Sequence, residues 1–365
     1  MTERQKPYKR QIGCVVGVAV AMVSGLGVTA APSSAVAEGH TVRPGESIQA
    51  AVDAARPGDT IVIRPGVYQE SVLITTPDLT LRGSGPDTVL TPGPAPAAAR
   101  AEHSCARAGN GICVTGTADS VTDRVDIRSL TLRGFRQNGL WASHTDRLTV
   151  RGVTAEENGV WGLSQEHSTR AVLRSNTARD NGDAGIFLAN TVGEEGGATD
   201  TGGALISENT LTGNRVGINL KRVRNLTARN NSISGNCAGI FIVSDESKPA
   251  AGALSLTGNT ILENNKLCPA SPRLPAIQGS GIVLTGSDSA VIRGNTVRGN
   301  VGTAPMSGGI VLFESFVGAT NSGNVIEHNE VSGNSRADLI HREKGGTENT
   351  FRGNTCESSE PAGLC

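Results

Sequence analysis

The chain has 365 residues with 33 basic and 34 acidic side chains, so its formal net charge is -1. That balance excludes a protein defined by overall basicity, and no nucleic-acid partner is expected unless charge is segregated locally. Aromatic residues are only 3% while glycine numbers 47, which excludes a core of bulky rings and favours closely stacked backbone.

The first element is a leader. Arg4, Lys6, Lys9 and Arg10 form a positive head, Ile12 to Ala31 is an apolar run, and Ala35-Val36-Ala37 is a small-x-small cleavage site. Residues 1–37 read as a secretory signal peptide and residues 38–365 as one mature domain, secreted and free of the membrane after cleavage. The rival reading is an uncleaved N-terminal anchor, because the apolar run is nearly long enough to span. Cys14 lies at the front of the run, where a lipoprotein cysteine would lie at its end.

Next comes SIQAAVDAARPGDTIVIRPGVYQESVLI. It predicts a helix opening at Ser47 with Ile48, Ala51, Val52 and Ala55 on one apolar face, then alternating strands. Residues 38–60 are expected to cap the domain that follows. The mature chain keeps Cys105, Cys113, Cys237, Cys268, Cys356 and Cys365. An even number in an exported chain points to disulfides, although six allow fifteen connectivities. Sequential pairing, 105–113, 237–268 and 356–365, is expected because it staples local loops. No Cys-x-x-Cys or Cys/His cluster suggests a metal site.

From residue 173 onwards one phrase recurs. LRSNTARDN, ISENTLTGN, ARNNSISGN, LTGNTILEN, IRGNTVRGN and IEHNEVSGN repeat an Asn followed by another five residues later, and FRGNTCESS is a worn copy. The first Asn falls at 176, 209, 231, 259, 295, 329 and 354. A second phrase, Gly-apolar-x-apolar, accompanies it: GLWA, GVWG, GIFL, GINL, GIFI, GIVL and GIVL, starting at 139, 159, 185, 217, 239, 281 and 309. Each unit holds three short alternating strands and makes one circuit of a parallel β-solenoid, with three sheets along its axis. The expected architecture is all-β, about 8–10 coils, roughly 40 Å long at the interstrand spacing. Asn suits a left-handed corner, and stacked amides can satisfy one another along the axis. The Asn ladder therefore reads as scaffold.

The stretch from Thr41 to Leu81, followed by the Asn-rich coils, resembles the right-handed parallel β-helix superfamily of pectate lyases and polygalacturonases. It is especially similar to the type that includes carbohydrate-binding and sugar-hydrolase domains and the NosD copper-accessory protein. The resemblance covers nearly the whole mature chain and implies a right-handed helix with ligands along the outside of one sheet. The matching strands would be the Gly-apolar-x-apolar segments. Their central position, between two apolar and inward rows, carries Trp141, Trp161, Phe187, Asn219 and Phe241, then Val283 and Val311. An outward aromatic strip of this kind offers faces to sugar rings, and its bland alternative is burial beneath flanking loops.

Polar groups follow these strands: His144 and Asp146, Glu166 and His167, Asn190, Lys221 and Arg222, Asp245 and Glu246, and Glu314. The catalytic candidates are Glu166, His167, Lys221, Arg222 and Asp245. A lyase would use Lys221 or Arg222 as base, with carboxylates holding Ca²⁺. A hydrolase would draw an acid and a base from Glu166, Asp245 and Glu246. The Asn-Thr-Asp, Asp-Asp and Gly-His-Gly set of polygalacturonases is absent, as are Trp-Ile-Asp-His of pectate lyases and Asp-Pro-His-Asp of alginate epimerases. The histidines and methionines supply no soft-ligand cluster for copper. The reading is a secreted monomer that binds, and as a lyase or hydrolase processes, a polysaccharide or cell-wall glycan. The alternative is a non-catalytic surface or adhesion module, which needs no convergent ionisable groups beside the aromatics.

Overall fold

The computed structural model describes residues 39–94, 104–191, 193, 196–270, 274–343 and 345–365. The expected leader, residues 1–37, lies outside them. The front of the domain forms as its sequence dictates. Helix α1 (Ile48–Ala54) buries Ile48 and Val52, and the Ser47 hydroxyl accepts the Ala50 N–H at 3.2 Å as its N-cap. Glu70 closes the same helix end, taking the backbone N–H groups of Ile48 and Gln49.

Beyond the cap, each coil lays one strand in each of three sheets. Thr149–Arg151 belongs to the first, Thr154–Glu156 to the second and Leu163–Glu166 to the third, before Val172–Arg174 returns to the first. Among the described residues the sheets hold 12, 10 and 11 strands, paired in parallel coil upon coil. This is the parallel β-helix that the repeat predicts, with the right hand that the family resemblance implies. It is longer than the eight to ten coils counted from the phrases, because its first rungs, at 60–63 and 80–82, lack the Asn signature.

The core is built from inward rows. Val150, Leu173 and Ile206 stack on the first sheet, Ala155, Ala178 and Leu211 on the second, and Leu163, Ile186 and Ile218 on the third, all almost wholly buried. Strands of three residues suffice because each strand is sandwiched between its equivalents, so backbone groups find partners in both neighbouring coils.

The asparagines form two continuous ladders. One runs from Asn176 through Asn209, Asn231, Asn259, Asn295 and Asn329 to Asn354. The other runs from Asn158 through Asn181, Asn214, Asn236, Asn264 and Asn300 to Asn334, where the Asp338 carboxylate accepts the last amide. Each side-chain carbonyl takes both the amide N–H and the backbone N–H of the preceding Asn, as at Asn231 and Asn259. The left-handed residue is not the Asn itself but the one before it: Ser175, Glu208, Asn230, Gly258, Gly294, His328 or Gly353 in the first ladder. That residue turns the chain, and the turn aims the next amide along the axis. The three disulfides are Cys105–Cys113, Cys237–Cys268 and Cys356–Cys365, the sequential pairing.

Candidate functional site

The outer face of the third sheet carries the aromatics. Leu140–Ser143, Leu163–Glu166, Ala184–Ala189, Val216–Lys221 and Ala238–Val243 are neighbouring rungs of this sheet. Register through them places Cys113, Trp141, Ser164, Phe187, Asn219 and Phe241 in one row. Trp161 is therefore not in the strip. The true strand phrase of its coil is Gly162-Leu163-Ser164-Gln165, and GVWG three residues earlier is a look-alike. Ser164 takes the outward place, and Gln165 points inward, buried, with its side-chain carbonyl unpaired.

Trp161 reaches the face all the same. Its ring stacks on Phe187 with centroids 4.1 Å apart and planes 6° apart, and its indole N–H donates to Asp183 at 2.9 Å. An offset or parallel pair of this kind holds both rings rigid.

The strip is also not exposed along its whole length. Phe187 is 4% exposed and Phe241 2%. Phe187, Phe241, Val283 and Val311 sit in a second apolar cluster with Ile277, Met306 and the Cys237–Cys268 pair, and Trp161 packs against it. The excursion carrying Cys268 and Ile277 folds back onto the sheet and is tied there, so loop burial wins over exposure at that end. At the other end Cys113, bonded to Cys105, precedes Trp141 in the row. Between the two stapled segments, Trp141, Trp161 and Asn219 are half-buried and form the open window.

Ionisable groups border this window. The outward row next to the aromatics reads Ser143, Glu166, Ala189, Lys221 and Val243. Glu166 and Lys221 thus share a row two rungs apart, about 10 Å along the axis. Both are half-buried and both have partners. One residue further on, the chain turns through left-handed His144 and His167, whose rings stack at 4.8 Å. Ser143 Oγ lies 2.9 Å from His144 Nδ1. Burial pushes His144 below the ordinary histidine value, the neighbouring His167 pushes the same way, and Glu166 opposes them without reversing the shift. The shift favours the neutral imidazole.

Arg222 and Asp245 do not face the window. Arg222 turns inward from its left-handed corner and donates to Asp245 at 2.8 Å and to the Thr191 carbonyl at 3.2 Å. Both partners are buried. Burial pushes the Asp245 carboxyl up, but hydrogen bonds from Arg222 and the Ser247 N–H outweigh it and hold the group below the usual range. The pair ties Thr191 to the turn at 245–247. Neither group can serve as the mobile base or acid expected of it. Asp146 is likewise engaged at a corner, by Arg170, Arg147 and Thr169, and Asn190 holds the carbonyls of Gly196 and Gly197.

Two contributors were missed by the strand phrases: Ser164, and Asp183, which fixes Trp161. The offset between His144 and His167 is 23 residues, the same as between Asn158 and Asn181, so the coil length marks them as a pair. Among the described residues no three of His, Cys, Asp or Glu converge into a set that could hold a metal ion. The described residues therefore do not supply the carboxylate cluster that the lyase resemblance implies for Ca²⁺.

The family described as "Right handed beta helix region" matches residues 101–195 and 199–365. No curated protein sequence matches the chain. Three solved structures illustrate its similarity in fold. The A-module of the mannuronan C-5 epimerase AlgE4 from Azotobacter vinelandii aligns over 86% of this chain and 94% of its own, with a TM-score of 0.55 at 17% identity. DFA-IIIase from Arthrobacter chlorophenolicus A6 aligns over 84% and 77%, with a TM-score of 0.58 at 15% identity. The Dettilon tailspike protein aligns over 87% and 67%, with a TM-score of 0.52 at 13% identity.

Proposed function

The chain belongs to the right-handed β-helix family, and on that premise we propose that it is an exported protein that binds polysaccharide along the outer face of its third sheet and cleaves it by lyase-type chemistry. The observation that carries the reading is half-buried Trp161, held by stacking on the buried Phe187, in a window bordered by His144, His167, Glu166 and Lys221. A fixed indole offers an apolar surface to the C–H face of a sugar ring, and ionisable groups beside it can move protons. Export is supported by three disulfides, which persist in oxidising compartments. One of the three fold relatives is by name an epimerase of mannuronan, which agrees with a role at glycans.

The choice of lyase over hydrolase rests on the side chains. A hydrolase needs two free carboxyl groups roughly 5–9.5 Å apart. Asp245 is locked to Arg222, which removes one of the two carboxylates proposed as partners for Glu166, and the other, Glu246, is exposed on the turn beyond it. A lyase needs a base for the proton next to a uronate carboxylate, and neutral His144, oriented by Ser143, has the right protonation state. The proton leaves that carbon, the bond to the neighbouring sugar oxygen breaks, and a carbon–carbon double bond remains. Glu166 and His167, one rung along, stand where they can return a proton to the leaving oxygen. Lys221 holds the negative charge of the chain further along the axis.

The test is ultraviolet absorbance of unsaturated product released from uronate polymers. Wild-type protein is expected to generate it, and His144→Ala to lose activity by about a hundredfold or more while still binding polymer. Binding by wild type without product would remove the catalytic step and leave the adhesion module.

A further inference from the structure

The outer face of the first sheet carries charge that the third-sheet window does not use. Register places Arg82, Arg128, Arg151 and Arg174 on four consecutive rungs of one outward row. Ser207 interrupts the row, and Arg229, Arg293 and Arg352 continue it, separated by Thr257 and Glu327. Rungs are about 4.8 Å apart, so the line runs roughly 43 Å along the axis. In a chain of net charge -1 this is segregation, not composition.

Acidic neighbours neutralise only part of it. Asp126 is shared between Arg128 at 3.6 Å and Arg151 at 3.0 Å, Glu327 between Arg293 at 3.6 Å and Arg352 at 2.7 Å, and Glu208 takes Arg174 at 3.0 Å. Seven guanidiniums face three carboxylates, which leaves four positive charges in line. Arg82 and Arg229 are exposed and have no ion-pair partner among the described residues. Guanidinium forks match carboxylates in plane and spacing, and this row already binds carboxylates at three places. The companion outward row bears Thr149, Val172, Leu205 and Thr227, with no aromatic ring on which a nucleic-acid base could stack.

We propose that this row anchors an acidic polysaccharide, a linear polymer with carboxylates along its length, laid parallel to the helix axis. The surface is on a different sheet from the Trp161 window and does not depend on that window's function. Bound there, the polymer's carboxylates pair with Arg82 and Arg229 and compete with the resident acids elsewhere.

The test is calorimetric titration of the full chain with polygalacturonate, with neutral dextran and duplex DNA as comparison ligands. Wild type is expected to bind polygalacturonate and not dextran, and to weaken by about tenfold or more between 50 and 200 mM salt as counterions compete. Arg82→Gln/Arg229→Gln breaks no ion pair, so it should fold normally by circular dichroism and bind several-fold more weakly. Adding Arg174→Gln and Arg293→Gln should bring the loss to about tenfold or beyond. Made in a Trp161→Ala background, which takes away the window's share of the binding, the same two Arg substitutions should still weaken what remains. Unchanged affinity in the double variant in both backgrounds, or tighter binding of duplex DNA than of polygalacturonate, would each overturn the proposal.

Discussion

Replacing Asn259 by Ala tests whether the Asn ladder is scaffold. Asn259 is fully buried at the middle of its ladder. Its side-chain carbonyl accepts the backbone N–H of Asn231 at 3.1 Å and the Asn231 amide at 2.9 Å. Its own amide donates to Ala228 at 3.0 Å and to Asn295 at 2.9 Å. Ala removes four hydrogen bonds. The Asn231 amide keeps the Ile206 carbonyl at 3.0 Å, but its backbone N–H is left buried without an acceptor. At about 1 kcal/mol net per bond, the loss is about 4 kcal/mol. That is a large share of the 5–15 kcal/mol or so that a folded domain has in hand. The assay is equilibrium urea unfolding followed by far-ultraviolet circular dichroism, with the slope of the transition checked for a broken two-state process. Asn259→Asp makes a sharper companion. At neutral pH a buried carboxylate would face the Asn295 carbonyl oxygen and lose the donor. Burial raises such a carboxyl's pKa, so its stability deficit relative to wild type should shrink as pH falls and the group regains a proton to donate. A loss below about 1 kcal/mol for Asn259→Ala would refute the scaffold account.

Three further outcomes are expected. Cys237→Ser/Cys268→Ser opens a closure spanning 31 residues and should cost about 3–4 kcal/mol in the chain-entropy treatment, with dye binding to the uncovered Phe241 cluster; no change in either readout would mean the excursion holds without its staple. Asp245→Asn strands a buried guanidinium and should cost about 3–5 kcal/mol. Because the Asp245 carboxyl is held below its ordinary value, its stabilisation is present above that value and fades as pH falls through the folded one, so Tm of wild type should drop in acid more steeply than that of Asp245→Asn. In an NMR titration His144 should take up its proton below the ordinary histidine midpoint of about 6.5, and a midpoint at or above that value would contradict its burial beside His167.

How much was legible differs between scaffold and site. The coil repeats because each of its apolar and Asn positions meets its own copy above and below, so the pattern is local, periodic and visible in the residues. The cap helix and the sequential disulfides follow from equally local signals at Ser47 and in neighbouring cysteines. The window was only half legible. GVWG imitates the strand phrase, and only pairing with Trp141 reveals that Ser164 occupies the place assigned to Trp161. The burial of Phe241 depends on where the excursion through Cys268 and Ile277 comes to rest, which no periodicity encodes. Arg222 and Asp245 look like chemistry in the sequence because they are charged and follow a strand. Their burial is set by the left-handed corner at Arg222 and by its bonds to Asp245 and to the Thr191 carbonyl.

Glycan is expected to sit at the window around Trp161, whose ring rests on buried Phe187. A glycan array probed with wild type and with Trp161→Ala, followed by titration of the best ligand against both, tests it most directly. The expected result is at least one polysaccharide bound by wild type and weakened by about tenfold in Trp161→Ala, since losing an aromatic platform costs on the order of 1.4 kcal/mol. No binding to any glycan, or equal affinity in the two proteins, would contradict it.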